Sequence, residues 1–456
     1  MNYIIDLSSP FIWVFLVGTI AHSIWNAWLS WRDKDYILKT EDDALEKVNS
    51  LHPTASKFFT PEKMKLSLAY ERVCRVFGAF ESKCGKIFGA ILLAFGFFPW
   101  LLSVFNREFN LSFLVAFIAA TLVVSLIDTI TDVPFDLHST FSIEKRFGFN
   151  TTTKKIFWMD LLKNELVSNV VQIVTFAASF GLLYAYHCLF GKIGLVACLC
   201  GAAIFTATSM LFEVVYMKVV LPIFNKLEPM EDGELKTKME EMMRKFGFSP
   251  NGVFVMDASK RSKHSNAYCS GWGKSKRLVL FDTLLENMNN DEILAILGHE
   301  LAHSKLHHLV YNRVIDFATI FIYYFVASYF VYSTSMLDAF GYRGAAIPCG
   351  DLTSTIAMTS VAFIGFKVFE MLWGSFDWLL TGLKSWISRK MEFAADKYSC
   401  LYTGKVDPMI TALFKLYGEN LTYPLSDQLF ESWLFSHPGL VNRVEALKRV
   451  EKEICK

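Results

Sequence analysis

Residues Leu166–Phe190 read LVSNVVQIVTFAASFGLLYAYHCLF, a run without aspartate, glutamate, lysine or arginine. About 20 mainly apolar residues in a helix cross the hydrocarbon core of a bilayer, so this run is long enough to span one. Leu7–Trp31, Ile87–Phe105 and Phe317–Met336 are equally uncharged, Ile193–Met217 is interrupted only by Glu213, and Leu111–Ile127 is shorter. A last stretch from Leu352 to about Met371 carries Lys367 and Glu370 near its end. The sequence predicts a mainly α-helical, polytopic membrane protein with seven spans, six and eight being the neighbouring counts. Asp128, Asp132, Glu213, Lys367 and Glu370 lie within or at the ends of these helices. They are expected to face a wet interior, because a charge at the bilayer centre costs roughly 2.5–3.5 kcal/mol.

Composition agrees: 53% of the 456 residues are hydrophobic and 15% aromatic. The 45 basic residues nearly cancel the 44 acidic ones, so the chain lacks the basic field of a nucleic-acid binder, and no nucleic-acid partner is expected. None of the nine cysteines shows the paired CxxC spacing of a zinc knuckle, and no disulfide framework is implied. Cys198 and Cys200 read as small apolar fillers.

The first stretch has no basic residue before it and exceeds the apolar length of a signal peptide, so it reads as a retained span. With seven spans, one set of connections holds only Arg107, Lys192 and Arg343, while nearly every other lysine and arginine falls on the opposite side. That asymmetry puts the N-terminus outside and the large polar segments, about 32–86, 128–165, 218–312 and 380–456, in the cytosol. The expected division is a membrane domain over 1–220, a zinc-protease segment over 221–312, the last two spans over 313–380 and a second protease segment over 381–456. Within the third polar segment, Asp232–Phe246 reads as a helix. Gly252–Met256 and Arg277–Phe281 read as strands around a loop, Lys260–Lys276, and Glu292–His308 reads as a helix.

In that last helix, AILGHELAHSKLHH places His299 and His303 four residues apart, so both imidazoles leave one face and can share a metal. Glu300 stands a step further round, placed to deprotonate water rather than to bind. The pattern also occurs by chance, and two histidines leave the ligand set incomplete. Leu309 occupies the offset at which a third histidine would complete a metzincin pattern, so a distant ligand is needed. SRKMEFAADKYS offers Glu392 as that carboxylate, among apolar neighbours, and Asp396 one turn later to orient a ligand imidazole. His307 and His308 read as a polar helix end at the membrane surface. The sum is an open three-ligand site with one zinc per chain.

These residues sit among segments that resemble the integral-membrane type I CAAX prenyl proteases of eukaryotes. The resemblance runs over almost the whole chain: TPEKMKLSLAYE (Thr60–Glu71), PFDLHSTFSIEKRFGFNTTT (Pro134–Thr153), LPIFNKLEPM (Leu221–Met230), HSNAYCSGWG (His264–Gly273) and FSHPGLVNR (Phe435–Arg443), besides the two zinc segments. It implies seven helices enclosing a water-filled chamber, closed at its cytosolic end by a metalloprotease domain with a small β-sheet. It implies zinc on His299, His303 and Glu392, with Glu300 as general base. It also implies that Asn266, Ala267 and Tyr268 lie on an edge strand that pairs with the extended substrate, and that His437 and Arg443 donate to the oxyanion. The implied substrates are prenylated CAAX-terminated peptides and proteins, shortened by their C-terminal tripeptide, a second upstream cleavage being left open. The implied setting is membrane lipid, as a monomer, in the endoplasmic reticulum, with the inner nuclear membrane as a further location. Family members commonly carry Gly, Trp and Gly where this chain has Ala302, Ser304 and His307.

A site-2-type intramembrane protease is the nearest different arrangement, but its Asp-Gly ligand follows the HExxH span, whereas Asp232-Gly233 precedes the motif here. A broader quality-control zinc protease of the membrane is the alternative function. A transporter with a structural zinc helix would need neither an open ligand position nor a neighbouring base.

Overall fold

The computed structural model describes residues 3–248, 252–270, 277–342 and 354–454. Arg343, the start of the last predicted span at Leu352, and the Gly271–Gly273 end of the HSNAYCSGWG run lie outside them.

Pro10–Thr40 (α1) starts with proline at its first turn, where a missing N–H costs no hydrogen bond. After Ala44–Asn49 (α2), Thr60 caps Pro61–Ala94 (α3) by accepting from the Lys63 N–H. Phe97–Ser103 (α4) follows at a 50° bend, and Gly96 makes that bend with φ of 60°. The expected span Ile87–Phe105 is therefore broken rather than straight. A side chain at Gly96 would also collide with the backbone oxygen of Tyr3, which packs against the bend. Phe113–His138 (α5) passes into a π-helical turn, Ser139–Glu144, five residues after Pro134 removes a helical donor. Lys154–Phe190 (α6), Leu195–Val215 (α7), Leu221–Phe224 (α8) and Glu234–Lys245 (α9) complete the first half. Asp282–Asn287 (α10), Asn290–Lys305 (α11), His308–Ser328 (α12), Thr334–Ala339 (α13) and Thr355–Gly374 (α14) come next. Trp378–Thr403 (α15), Asp407–Glu419 (α16), Gln428–Leu434 (α17) and Leu440–Ile454 (α18) end the described chain.

Among the described residues, six helices are long and apolar enough to cross a membrane, or seven when the bent pair α3–α4 counts as one span. The chain is an integral membrane protein. Its membrane core gathers α1, α4, α5, α6, α12 and α14 around Phe117, whose ring meets Phe98, Phe176 and Phe363 edge-on. The span expected at Phe317–Met336 is displaced towards the N-terminus, because a left-handed residue at His307 ends α11 and a new helix begins at His308.

At one end of these helices the polar segments assemble. Leu227–Pro229 (β1), Val253–Met256 (β2), Ala267–Ser270 (β3) and Arg277–Phe281 (β4) form a sheet in the order β1-β2-β4-β3, parallel between β2 and β4 and antiparallel elsewhere. Two strands were legible in sequence; β1 and β3 are the additions, the second inside the expected loop Lys260–Lys276. The C-terminal segment is fastened to α1 and α3 by a buried carboxylate. Asp33 accepts from Ser426 Oγ and the Asp427 N–H at 2.7 and 2.6 Å and pairs with Arg75 at 2.5 Å, while Arg32 pairs with Asp427.

The ionisable residues of the spans are partly paired. Glu213 meets Arg313 of α12 at 2.8 Å, and Lys367 meets Glu370 at 2.9 Å while lying over the Phe176 ring. Asp128, Asp132 and Asp136 of α5 line, with Asn164 and Glu165 of α6, a cleft of about 340 Å³.

Candidate metal centre and active site

The two halves of the site lie on α11 and α15, and their sequences explain the close approach. Asn289 accepts from the Glu292 N–H while Glu292 returns a bond to the Asn289 N–H, a reciprocal cap that fixes where α11 begins. Lys415 of α16 neutralises the buried Glu292 at 2.7 Å. Midway along α11, Gly298 faces Ser399 of α15; a methyl group there would stand 2.5 Å from Ser399 Oγ. Ser399 donates to the Ala295 carbonyl at 2.7 Å, so the two helices touch backbone to side chain.

That contact brings His299 and His303 to Glu392. His299 Nε2 stands 3.1 Å from His303 Nε2 and 3.3 Å from Glu392 Oε2, and His303 Nε2 is 3.3 Å from Glu392 Oε1. Donors roughly 2.0–2.1 Å from a tetrahedral metal stand about 3.3 Å from one another, so the donor set fits a zinc-sized ion. Glu392 Oε2 is buried without a hydrogen-bond donor, and the three donor atoms converge within 4.8 Å of one another, an arrangement that a cation would satisfy.

The electrostatics point the same way. Burial opposes the charged form of His299, but Asp396 and Glu392 overcome it and push the ring up to about 9. Burial likewise opposes the Glu392 carboxylate, yet His299 and His303 hold it far below the usual carboxyl range. Asp396 is buried too, and the Arg443 guanidinium together with His299 holds it down at about 2. Both carboxylates therefore stay ionised, balanced by Arg443 and by a proton on His299 whose place a metal cation at the three donors would take.

Asp396 Oδ1 lies 2.8 Å from His299 Nδ1, the orienting contact that the spacing suggested. Arg443 departs from the resemblance. Its Nε and Nη2 donate to Asp396 at 2.8 and 2.6 Å, so the guanidinium backs the carboxylate instead of standing at the open face. His437 does reach that face, with Nε2 3.5 Å from Glu392 Oε1 and its side chain 65% exposed. Glu300 is half-buried beside His299, and no hydrogen bond or ion pair engages its carboxylate among the described residues.

His307 is exposed just past the end of α11, as a polar helix end would be, but His308 is not. His307 adopts φ of 60° and ψ of 25°, a left-handed conformation that glycine accepts without steric cost. His308 is buried, and its Nδ1 lies 2.9 Å from His303 Nδ1. The regular pattern of α11 hid this contact, since residues five apart on an unbroken helix stand roughly 140° apart around its axis.

Ala267 and Tyr268 belong to β3, an edge strand among the described residues, and Asn266 immediately precedes it. Ala267 packs in the same apolar cluster as Leu297 and Leu301 of α11, which sets the edge beside the metal helix. The Ala267 N–H donates to Asn266 Oδ1 at 2.8 Å, so the open edge is covered by a side chain of its own strand entry. Tyr268 packs with Met217, Met256 and Val279. The loop before β3 is anchored to the membrane helices: Thr151 and Thr152 donate to the carbonyls of Ser259 and Arg261, and Arg261 pairs with Asp160 of α6. His264 stacks on Phe149 at 4.0 Å and bridges Glu144 and Asn420; the Glu144 hydrogen bond, outweighing burial, raises the His264 pKa. Glu144 also accepts from Tyr70 at 2.6 Å.

Residues 43–226 match the family model described as CAAX prenyl protease N-terminal, five membrane helices, and residues 229–451 match that of Peptidase family M48. The CAAX prenyl protease 1 homolog of Mus musculus is 32% identical over 363 residues, spanning 71% of this chain and 72% of its own length. CAAX prenyl protease 1 of Saccharomyces cerevisiae is 31% identical over 327 residues, spanning 71% of this chain and 70% of its own. The crystal structure of S. mikatae Ste24p matches with a TM-score of 0.77 and 25% identity over 96% of this chain and 99% of that one.

Proposed function

Because the chain belongs to the CAAX prenyl protease 1 family of membrane metalloproteases, we propose that it removes the C-terminal tripeptide from prenylated CAAX peptides at a zinc centre held by His299, His303 and Glu392. The observation that carries this reading is the meeting of those three donors beside the free edge of β3. Zinc held there supplies a Lewis acid that makes water acidic at neutral pH and polarises a carbonyl. Glu300 takes the proton of the attacking water and returns it to the departing amine. The β3 edge at Ala267 holds the substrate as an added strand, exchanging the Asn266 side chain for a substrate carbonyl. His437, exposed and 3.5 Å from Glu392, donates to the oxyanion. Arg443 fixes Asp396, and Asp396 fixes the His299 ring.

In this reading residues 1–220 and 313–380 hold the prenyl chain and the membrane, and 221–312 and 381–456 supply the chemistry. The charge asymmetry supports a site facing the cytosol, and the family supports residence in the endoplasmic reticulum. A farnesylated CAAX peptide incubated with the purified protein should lose its last three residues by mass, and a zinc chelator should stop the loss. Glu300→Gln should keep its zinc while turnover falls by about 10²–10⁴-fold. Cleavage that persists in the metal-free protein would overturn the proposal.

A further inference from the structure

His303 points its Nε2 at His299 and Glu392, which leaves Nδ1 on the far side of the ring. Nδ1 of His308 meets it there at 2.9 Å, with the two rings 5.0 Å apart and inclined at 71°. Two ring nitrogens at that distance share one proton, one donating and the other accepting. A nitrogen that binds metal must present its lone pair, so the His303 proton belongs on Nδ1, and the accepting lone pair belongs to His308.

We propose that His308 is a positioning residue that fixes the tautomer and orientation of His303 for zinc, the counterpart of Asp396 behind His299; this rests on the ligand assignment made above. The two supports differ in charge. Asp396 brings a carboxylate that Arg443 balances, whereas His308 accepts as a neutral ring and adds no charge to a centre that already contains Glu392 and Asp396. The helix break is what makes the contact possible. The left-handed turn at His307 brings the first residue of α12 back over α11. The ring that results is buried.

The test compares zinc affinity of the full-length detergent-purified protein, stripped of metal and titrated with zinc alone against a competing chelator. His308→Phe keeps the ring volume and removes the acceptor; its affinity should fall by about 10–100-fold, the usual effect of losing a group that orients a ligand. His308→Asn places its side-chain oxygen near the position of Nδ1 and should regain most of the loss. His307→Gly, which keeps the left-handed turn, should bind as the natural chain does, and melting of the metal-free forms shows whether a variant is folded. His308→Phe with unchanged affinity, or His308→Asn as weak as His308→Phe when both melt normally, would overturn the proposal. His303→Ala separates the two layers: if it keeps its zinc, the ligand assignment has failed, and if it loses zinc while His308→Phe does not, only the role of His308 has.

Discussion

Arg443 and Asp396 make a buried, two-pronged ion pair, and removal of one partner strands the other's charge. Arg443→Ala should cost about 3–5 kcal/mol of stability in the metal-free protein, the range for breaking a buried pair. A residue serving only the oxyanion would leave that melting curve unchanged, so an unaltered curve would return Arg443 to the reaction itself. The sign of the pH dependence follows from the folded Asp396 carboxyl lying at about 2, below its unfolded value. Its contribution is complete above roughly pH 4 and is lost as pH falls through the folded value, so the gap between Arg443→Ala and the natural chain should narrow in acid. At this scale the sequence speaks unevenly. His299, His303 and Glu392 announce themselves by four-residue spacing and by a carboxylate among apolar neighbours. His308 does not, because its role depends on a backbone angle at His307, and no side-chain pattern reports an angle in advance. Arg443 was recognisable as belonging near the centre, but which partner it faces is a matter of packing.

The approach of α11 to α15 is an affair of two whole elements, and Gly298 sets its distance. Gly298→Ala should force the helices apart against Ser399, separate His299 from Glu392 and weaken zinc binding severalfold. Adding Ser399→Ala should restore much of that affinity, since the nearest remaining side-chain atom lies 3.3 Å away. A double variant no better than the single one, in the same chelator titration, would mean that Gly298 matters for another reason. At the β3 edge, Ala267→Pro deletes the N–H now capped by Asn266 and should raise KM strongly while zinc content stays full. Normal kinetics would remove this strand from substrate binding. The same scale explains what was hard to read. A three-residue strand such as β1 carries no alternation to detect, and the break at Gly96 hides inside a run whose apolar character is continuous.

Across the whole molecule, the acids of α5 decide whether the membrane domain is wet inside. Asp132→Cys, in a background without reactive native thiols, should react with a small water-soluble thiol reagent nearly as fast as a cysteine at the exposed Asp232. Protection equal to that of a cysteine at Val174, an exposed apolar position inside the Leu166–Phe190 run of α6, would show that the cleft is dry. Six apolar helices, or seven with the bent pair α3–α4, were legible from charge spacing, because lipid imposes that spacing on any chain that crosses it. How the caps meet was not, since contacts such as that of Asp33 with the Asp427 N–H join residues almost 400 positions apart.

Two spans, α12 and α14, lie between the histidines and Glu392. An even number of crossings returns the chain to the face from which it left, so the third proposed ligand arrives on the same side as the first two only when both spans have been threaded. A chain that skipped either one would carry Glu392 on the opposite face, with a bilayer between the halves of its centre. Catalytic competence thus doubles as a readout of correct threading, and a polypeptide still under synthesis remains harmless until its last crossing is complete.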